Sequence, residues 1–184
     1  MPSKRDRARL LALSAKESGY WLHALPSANL GTMLDQTTLS VVIGLRLGAS
    51  IIQPHRCHCG DSVDTYGHHG LSCSRSAGRF SRHSTINDII RRSLATAHVP
   101  AVLEPIGLAR SDGKRPDETL GPWGPEARAL FKELSKRVIE STGDPRAGSY
   151  LGQRISLAIQ RGNAASILGT VPRCGGFEDV LDII

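Results

Sequence analysis

Aromatic residues are the first shortage in this chain: Phe, Trp and Tyr together make up 4% of its 184 residues. With 40% of residues hydrophobic a core is possible, but it must be aliphatic, built from Leu, Ile, Val and Ala. Long apolar runs are missing as well. None approaches the roughly 18 residues that span a bilayer. Leu10-Leu11-Ala12-Leu13, behind the charged start Lys4-Arg5-Asp6-Arg7, is too short for the core of a signal peptide. These absences point to an intracellular protein, nuclear or cytoplasmic, with no membrane partner. Cysteine is sparse, with 4 residues, and in a reducing compartment such cysteines read as metal ligands or free thiols rather than disulfides. Internal repeats, low-complexity blocks and small-molecule signatures are absent.

Negative charge is also in deficit. Seventeen acidic residues against 23 basic ones leave a net charge of +6 and a pI near 9.5. That balance suits an anionic partner, most often nucleic acid, although a basic soluble protein with no such partner would look the same.

The chain is read as a helical segment (1–53), a Cys- and His-rich part with short strands (54–118), a second helical segment (119–173) and a tail (174–184), the boundary at 118 being what the resemblance given below implies. The first helix is expected over about Lys4 to Lys16, followed by an extended or buried piece from Tyr20 to Pro26. Asp35 is a good N-cap for a second helix, with Leu39, Val42, Ile43 and Leu47 on one face and Gly48 at its end. A third is expected from about Arg82 to Ala97, with Ile86, Ile89, Ile90, Leu94 and Ala97 as its apolar stripe. Ala101-Val102-Leu103-Glu104 and Lys114-Arg115-Pro116-Asp117 look like strands joined across Asp112-Gly113. Pro125 opens another helix, carrying Ala127, Leu130, Phe131, Leu134 and Val138 inward and closing at Gly143. Asp144-Pro145 precedes a last one, with Leu151, Ile155, Ala158 and Ile159 inward and a break expected at Gly162-Asn163. The tail is acidic and apolar. The fold class expected is α+β, mostly α, with helices around a small metal knuckle and a remnant of strands.

Three cysteines and two histidines crowd between residues 57 and 73: Cys57-x-Cys59, His68-His69, Cys73. Thiolates and neutral imidazole are zinc's preferred ligands, and closed tetrahedral sites draw on four of them. His69 is the better fourth ligand, because His69-x3-Cys73 is one helical turn and places both side chains on one face. His55 and His58 are weaker candidates. Asp61 and Asp64 could take the second imidazole N–H. A full set of four argues for structural Zn2+ over a catalytic ion; unliganded cysteines in a loop are the plain alternative.

From Tyr20 to Asp117 the chain resembles the region downstream of the reverse transcriptase in eukaryotic non-LTR-type retroelement polyproteins. The residues that carry the resemblance begin with Trp21-Leu22-x-Ala24-Leu25-Pro26, Leu45-Arg46-Leu47-Gly48 and Cys57-x-Cys59-Gly60. They continue with His69-Gly70-Leu71-Ser72-Cys73, Gly78-Arg79-x3-His83, Asn87, Glu104-Pro105 and Arg115-Pro116-Asp117. The resemblance implies a zinc knuckle at Cys57, Cys59, His69 and Cys73, followed by a restriction-like PD-(D/E)xK endonuclease. Glu104 would be the nuclease's first acidic residue, Asp117 its Pro-Asp carboxylate, and His83 a residue near DNA. Such a nuclease holds Mg2+ between carboxylates with a lysine beside the attacking water. Here no acid-x-Lys follows Asp117; Asp112-Gly113-Lys114 precedes it. Glu118 onward resembles sequence farther downstream in such elements, as if an internal deletion or splice joined Asp117 to Glu118.

The expected function is therefore a non-catalytic, retroelement-derived fragment with a structural zinc site and non-specific nucleic-acid binding. Arg75, Arg79, Arg82, His83, Arg91 and Arg92, with Arg56, are the candidates to meet phosphates. Two alternatives stand beside it. One is an active metal-dependent DNA endonuclease using Glu104, Asp117, Glu118 and Lys114 with Mg2+. The other is a helical protein-interaction module over 125–169.

Overall fold

A computed structural model describes residues 3–101 and 123–172. They are mostly helical, with six α-helices, one 3₁₀ helix and a single two-stranded sheet among them. No described helix is long and apolar enough to cross a membrane. The strands expected at 101–104 and 114–117, apart from Ala101, which is in no strand, and the tail at 174–184 lie outside the described residues.

Helix α1 (Lys4–Ser14) leads into a 3₁₀ helix, Lys16–His23; an extended or buried piece was expected from Tyr20 to Pro26, and over Tyr20–His23 it is 3₁₀ rather than extended. Trp21 is buried there, and its amide donates to Ser156 Oγ at 3.3 Å. Helix α2 (Gln36–Leu47) starts as its sequence dictates: Asp35 accepts from the Thr38 amide at 2.9 Å, satisfying a donor that the helix leaves unpaired. Gly48 closes it at φ 73°, and the Ala49 amide returns to the Gly44 carbonyl. Its buried face matches the expected one at Val42 but not at Leu39 or Leu47. Val41, Val42 and Gly44 are enclosed, whereas Leu39 and Leu47 are exposed. Ile51 packs where a Gly44 side chain would stand, which turns that face inward.

Strands β1 (His55–Arg56) and β2 (Ser62–Val63) pair antiparallel, with His55 opposite Val63 and Arg56 opposite Ser62. The short helix α3 (His68–Ser72) follows. Helix α4 (Ala77–Thr96) begins earlier than its apolar stripe suggested, and Ile89 is its buried isoleucine. His98 ends it at φ 56°, and the amides of His98 and Val99 return to the carbonyls of Ala95 and Leu94. Helix α5 (Pro125–Thr142) runs to Gly143 and buries Leu134 and Val138; Leu130 is exposed. Helix α6 (Ala147–Leu168) is continuous through Gly162-Asn163, where a break was expected.

The chain forms two compact units. One is drawn from Met1–Leu11, Leu25–Arg82 and Ala158–Ile184, the other from Ala12–Ala24 and His83–Leu157. In the first, the end of α6 lies against the Cys–His stretch. A Cβ on Gly70 would meet Ile167 Cα and Ser166 O at 2.8 Å, and one on Gly78 would meet Ser166 Oγ at 2.6 Å. Ile52, Ser166 and Ile167 have no exposed surface. In the second unit, Tyr20, Trp123 and Phe131 form a ring cluster with centroids 4.9–6.0 Å apart. Gly152 lets α6 pass within van der Waals reach of Tyr20 and Phe131.

Candidate metal centre

The Cys–His cluster is made by two short turns. The first sits between β1 and β2, where the Cys57 amide donates to the Asp61 carbonyl and the Gly60 amide to the Cys57 carbonyl, both at 2.9 Å. This folds Cys57 and Cys59 to one side. The second is α3, where the Cys73 amide donates to the His69 carbonyl at 2.9 Å. That single helical turn puts the His69 ring and the Cys73 sulfur on one face. Behind it, Gly70 must be a glycine because the α6 backbone passes too close for any side chain.

Together the turns bring Cys57, Cys59, His69 and Cys73 within reach of one ion: their ligand atoms lie within 4.8 Å of one another. Cys57 and Cys73 are buried, Cys59 and His69 half-buried. Cys57 Sγ is 3.8 Å from Cys73 Sγ, and Cys59 Sγ is 3.2 Å from His69 Nε2. The inward nitrogen is therefore Nε2. Nδ1 faces outward, 3.9 Å from Asp61 Oδ2, which is ion-pair reach but too long for a direct hydrogen bond. Asp64 instead faces His68, at 3.9 Å. His55 is occupied elsewhere, with its ring nitrogens on Gln53 O at 2.8 Å and Thr170 Oγ1 at 3.0 Å.

The thiols show the strain of crowding. Burial raises Cys57, but the Cys59 backbone amide and then the side chains of His69, Cys59 and Cys73 outweigh it and hold this thiol below its ordinary value. At Cys59 the Asp61 amide lowers the pKa, while desolvation and the neighbouring Cys57, Cys73 and Asp61 groups push it up to about 11. Three sulfurs this close cannot all carry charge without a cation among them. The donor set could hold a metal ion.

The arginines expected to meet phosphates divide sharply. Arg82 does not face solvent: it is 6% exposed, and its Nη1 donates to Asn163 Oδ1 at 2.8 Å. With so little of its side chain open to solvent, Arg82 is the least accessible of the arginines expected to meet phosphate. Its stem lies where a Gly162 side chain would stand, which is why Gly162 does not break α6. Arg91 and Arg92 are exposed but share Asp88, at 3.0 and 2.7 Å. The two guanidiniums hold the Asp88 carboxyl below its usual range. Arg79 is half-buried at the start of α4, and His83, also half-buried, pairs with Asn87 at 3.1 Å. Arg56 and Arg75 are exposed, and each donates to a carbonyl of the first turn: Arg56 to Gly60 O and Arg75 to His58 O, both at 3.2 Å. Sequence reasoning missed that pairing, and also the buried Arg82–Asn163 bond. The Arg75 and Arg82 bonds span 17 and 81 positions, approaches that local spacing does not encode. Glu104, Asp117, Lys114 and Glu118, the carboxylates and lysine of the nuclease reading, lie outside the described residues.

The fold and cluster thus define a mostly helical protein with a three-cysteine, one-histidine metal-ligand set. Compared with protein-family models, curated proteins and solved structures, the chain matches none.

Proposed function

We propose that this chain is a non-catalytic, retroelement-derived fragment in which Cys57, Cys59, His69 and Cys73 hold a structural zinc ion, and that it binds nucleic acid without sequence preference. The observation carrying the zinc reading is the sulfur spacing. A Zn–S bond of about 2.3 Å sets tetrahedral sulfurs about 3.8 Å apart. Cys57 and Cys73 stand at 3.8 Å. Four protein ligands leave no open position for substrate or water, which fits a structural role. Zinc bound there would tie together two turns that are otherwise held by one strand pair and by the end of α6. The retroelement reading rests on the order and spacing of the residues from Trp21 to Asp117.

For nucleic acid, the support is the net charge of +6 and the guanidiniums of α4. Arg56, Arg75, Arg79, Arg91 and Arg92 are the residues proposed to meet phosphate, with His83 beside them and Asp88 tempering Arg91 and Arg92. Bonds of this kind read phosphate, not base.

A specific observation also favours the helical-module reading. Tyr20, Phe131, Lys132, Ser135, Lys136, Ile139 and Glu140 line an open, mainly apolar groove along α5. An apolar helix surface of this kind fits the amphipathic helix of a protein partner.

Purified chain should contain one zinc, and should bind short DNA and RNA of any sequence at low salt. Replacing Arg79, Arg91 and Arg92 by Gln should flatten the log–log salt dependence by roughly 0.7–0.9 for each phosphate no longer neutralised. Supercoiled plasmid should stay intact with Mg2+ or Mn2+. A metal-free protein after refolding with zinc would remove the zinc reading. Absence of binding at low salt would remove the nucleic-acid reading. Nicking that disappears in Asp117→Ala would restore the endonuclease.

A further inference from the structure

Arg56 and Arg75 come from different parts of the chain, on either side of the ligands. Arg56 precedes Cys57 on β1, and Arg75 lies two residues past Cys73. Yet both guanidiniums reach the same turn. Arg56 Nη1 donates to the carbonyl of Gly60, the residue after Cys59. Arg75 Nη1 donates to the carbonyl of His58, in the peptide that leads into Cys59. The turn joining two of the four ligands is therefore held at two of its carbonyls by cations. Both bonds go to backbone oxygen rather than to a carboxylate, so neither neutralises the arginine's charge.

Charge counting gives this arrangement a purpose. A divalent ion bound by three thiolates and one neutral imidazole carries a formal charge of about −1. Water, backbone dipoles or nearby cations must offset that charge. We propose that Arg56 and Arg75 form a charge-compensating clamp on the metal centre: they neutralise its excess negative charge and fix the Cys57–Gly60 turn in its ligating shape. They are positioning residues, acting on the ion through the turn and through its field. The inference rests on the metal-site reading above. It removes both arginines from the set expected to meet phosphates, leaving nucleic acid to Arg79, Arg91 and Arg92.

Both side chains are exposed, so the effect is that of a screened surface charge rather than a buried pair. The test measures zinc affinity of the full chain by competition with a chromophoric chelator. Arg56→Gln and Arg75→Gln should each weaken zinc roughly two- to fivefold, the range expected for an exposed charge pair. The double variant should combine the two. Arg→Lys at either position keeps the charge and much of the reach, so it should restore most of the affinity. Raising the salt to 1 M, where the screening length falls to about 3 Å, should shrink the difference between parent and Gln variants. Affinity for a short DNA should change much less than affinity for zinc.

Parent protein that binds no zinc would sink the metal-site reading itself. Parent protein that binds zinc while both Gln variants bind it equally well would sink the clamp alone. A weakening that Lys does not rescue and salt does not diminish would assign the arginines a purely structural tether and overturn the charge argument. Unchanged zinc affinity with weakened DNA binding would return both residues to the phosphate-facing set.

Discussion

The stretch from His55 to Cys73 and helix α5 have comparable lengths but are stabilised in different ways. The first contains two strands of 2 residues and one helix of 5 residues. Its buried hydrophobic side chains are Cys57, Val63 and Cys73, and two of those three are candidate ligands. Helix α5 has 18 residues, opens with Pro125, ends at Gly143 and buries Leu134 and Val138. Across the same unit, α6 buries Leu151, Ile155 and Leu157. Isolated helices and strands this short are not stable in water. The difference teaches that the α5 region can rely on its own aliphatic burial, whereas the Cys–His stretch buries little of its own and is backed by the end of α6; metal ligation is the further support that the zinc proposal adds.

The comparison breaks most visibly when the metal goes. On the zinc reading, Cys73→Ser or a strong chelator should cost the Cys–His region more than about 4 kcal/mol, since binding there is folding free energy. Amide hydrogen exchange should then show weakened protection over 51–82 and over 158–171, whose residues pack against Gly70 and Gly78. Residues 125–157 should keep theirs. Leu134→Ala should do the reverse: a cavity costing about 2–5 kcal/mol, with no change when zinc is removed. Equal sensitivity of both regions to chelation would erase the distinction.

A smaller effect separates local preference from packing. Gly70→Ala would ordinarily favour a helix by up to about 1 kcal/mol. Here the new Cβ would stand 2.8 Å from Ile167 Cα and Ser166 O, backbone atoms that cannot swing aside. Packing should win, with a net destabilisation of about 1–3 kcal/mol and weaker zinc binding. Thermal unfolding with and without zinc would check it. An unchanged or raised midpoint would mean that α6 does not press on α3.

What the sequence disclosed, and what it hid, follows the same division between local and distant causes. The ligand set was legible because Cys57-x-Cys59 and His69-x3-Cys73 each close within a single turn. The Asp35 cap and the span of α5 were legible for the same reason, each being set by neighbours along the chain. The buried role of Arg82 was not, since it depends on Asn163, 81 positions away. Nor was the early start of α4, where Gly78 lies against Ser166 rather than on an apolar stripe. The Tyr20–His23 segment hid its 3₁₀ turn because Trp21 is fixed by Ser156, 135 positions on. Glycines that mark loops in the sequence are, at 70, 78 and 162, places where another part of the chain presses close. In a chain short of aromatics, close backbone approach at glycine replaces bulk as the means of packing.

The smallest expected effect concerns how helices start, and it contrasts α2 with α5. Helix α5 begins at Gly124 without a side-chain cap. Helix α2 begins at Asp35, whose carboxylate accepts from the Thr38 amide at 2.9 Å and from the Thr38 hydroxyl at 2.6 Å. The hydroxyl bond first, and the amide bond next, hold the Asp35 carboxyl below its ordinary value of 3.8. Asp35→Ala removes both bonds and should cost about 1 kcal/mol. The sign of the pH dependence follows from the lowered folded-state value. Above the ordinary value both folded and unfolded forms are ionised, and the stabilisation is complete. As pH falls towards the lowered value the unfolded chain takes up a proton first, so the contribution fades and is gone once the folded form is protonated as well. The gap between parent and Asp35→Ala, measured by urea unfolding at fixed salt, should therefore narrow on acidification below pH 3.8. Cys73→Ser provides the reference: its effect should vanish with zinc, whereas the Asp35 gap at neutral pH should persist in any variant that keeps α2 folded. A gap that stays constant through that acid range would mean that the Thr38 bonds do not favour the charged form, and that Asp35 acts by shape alone.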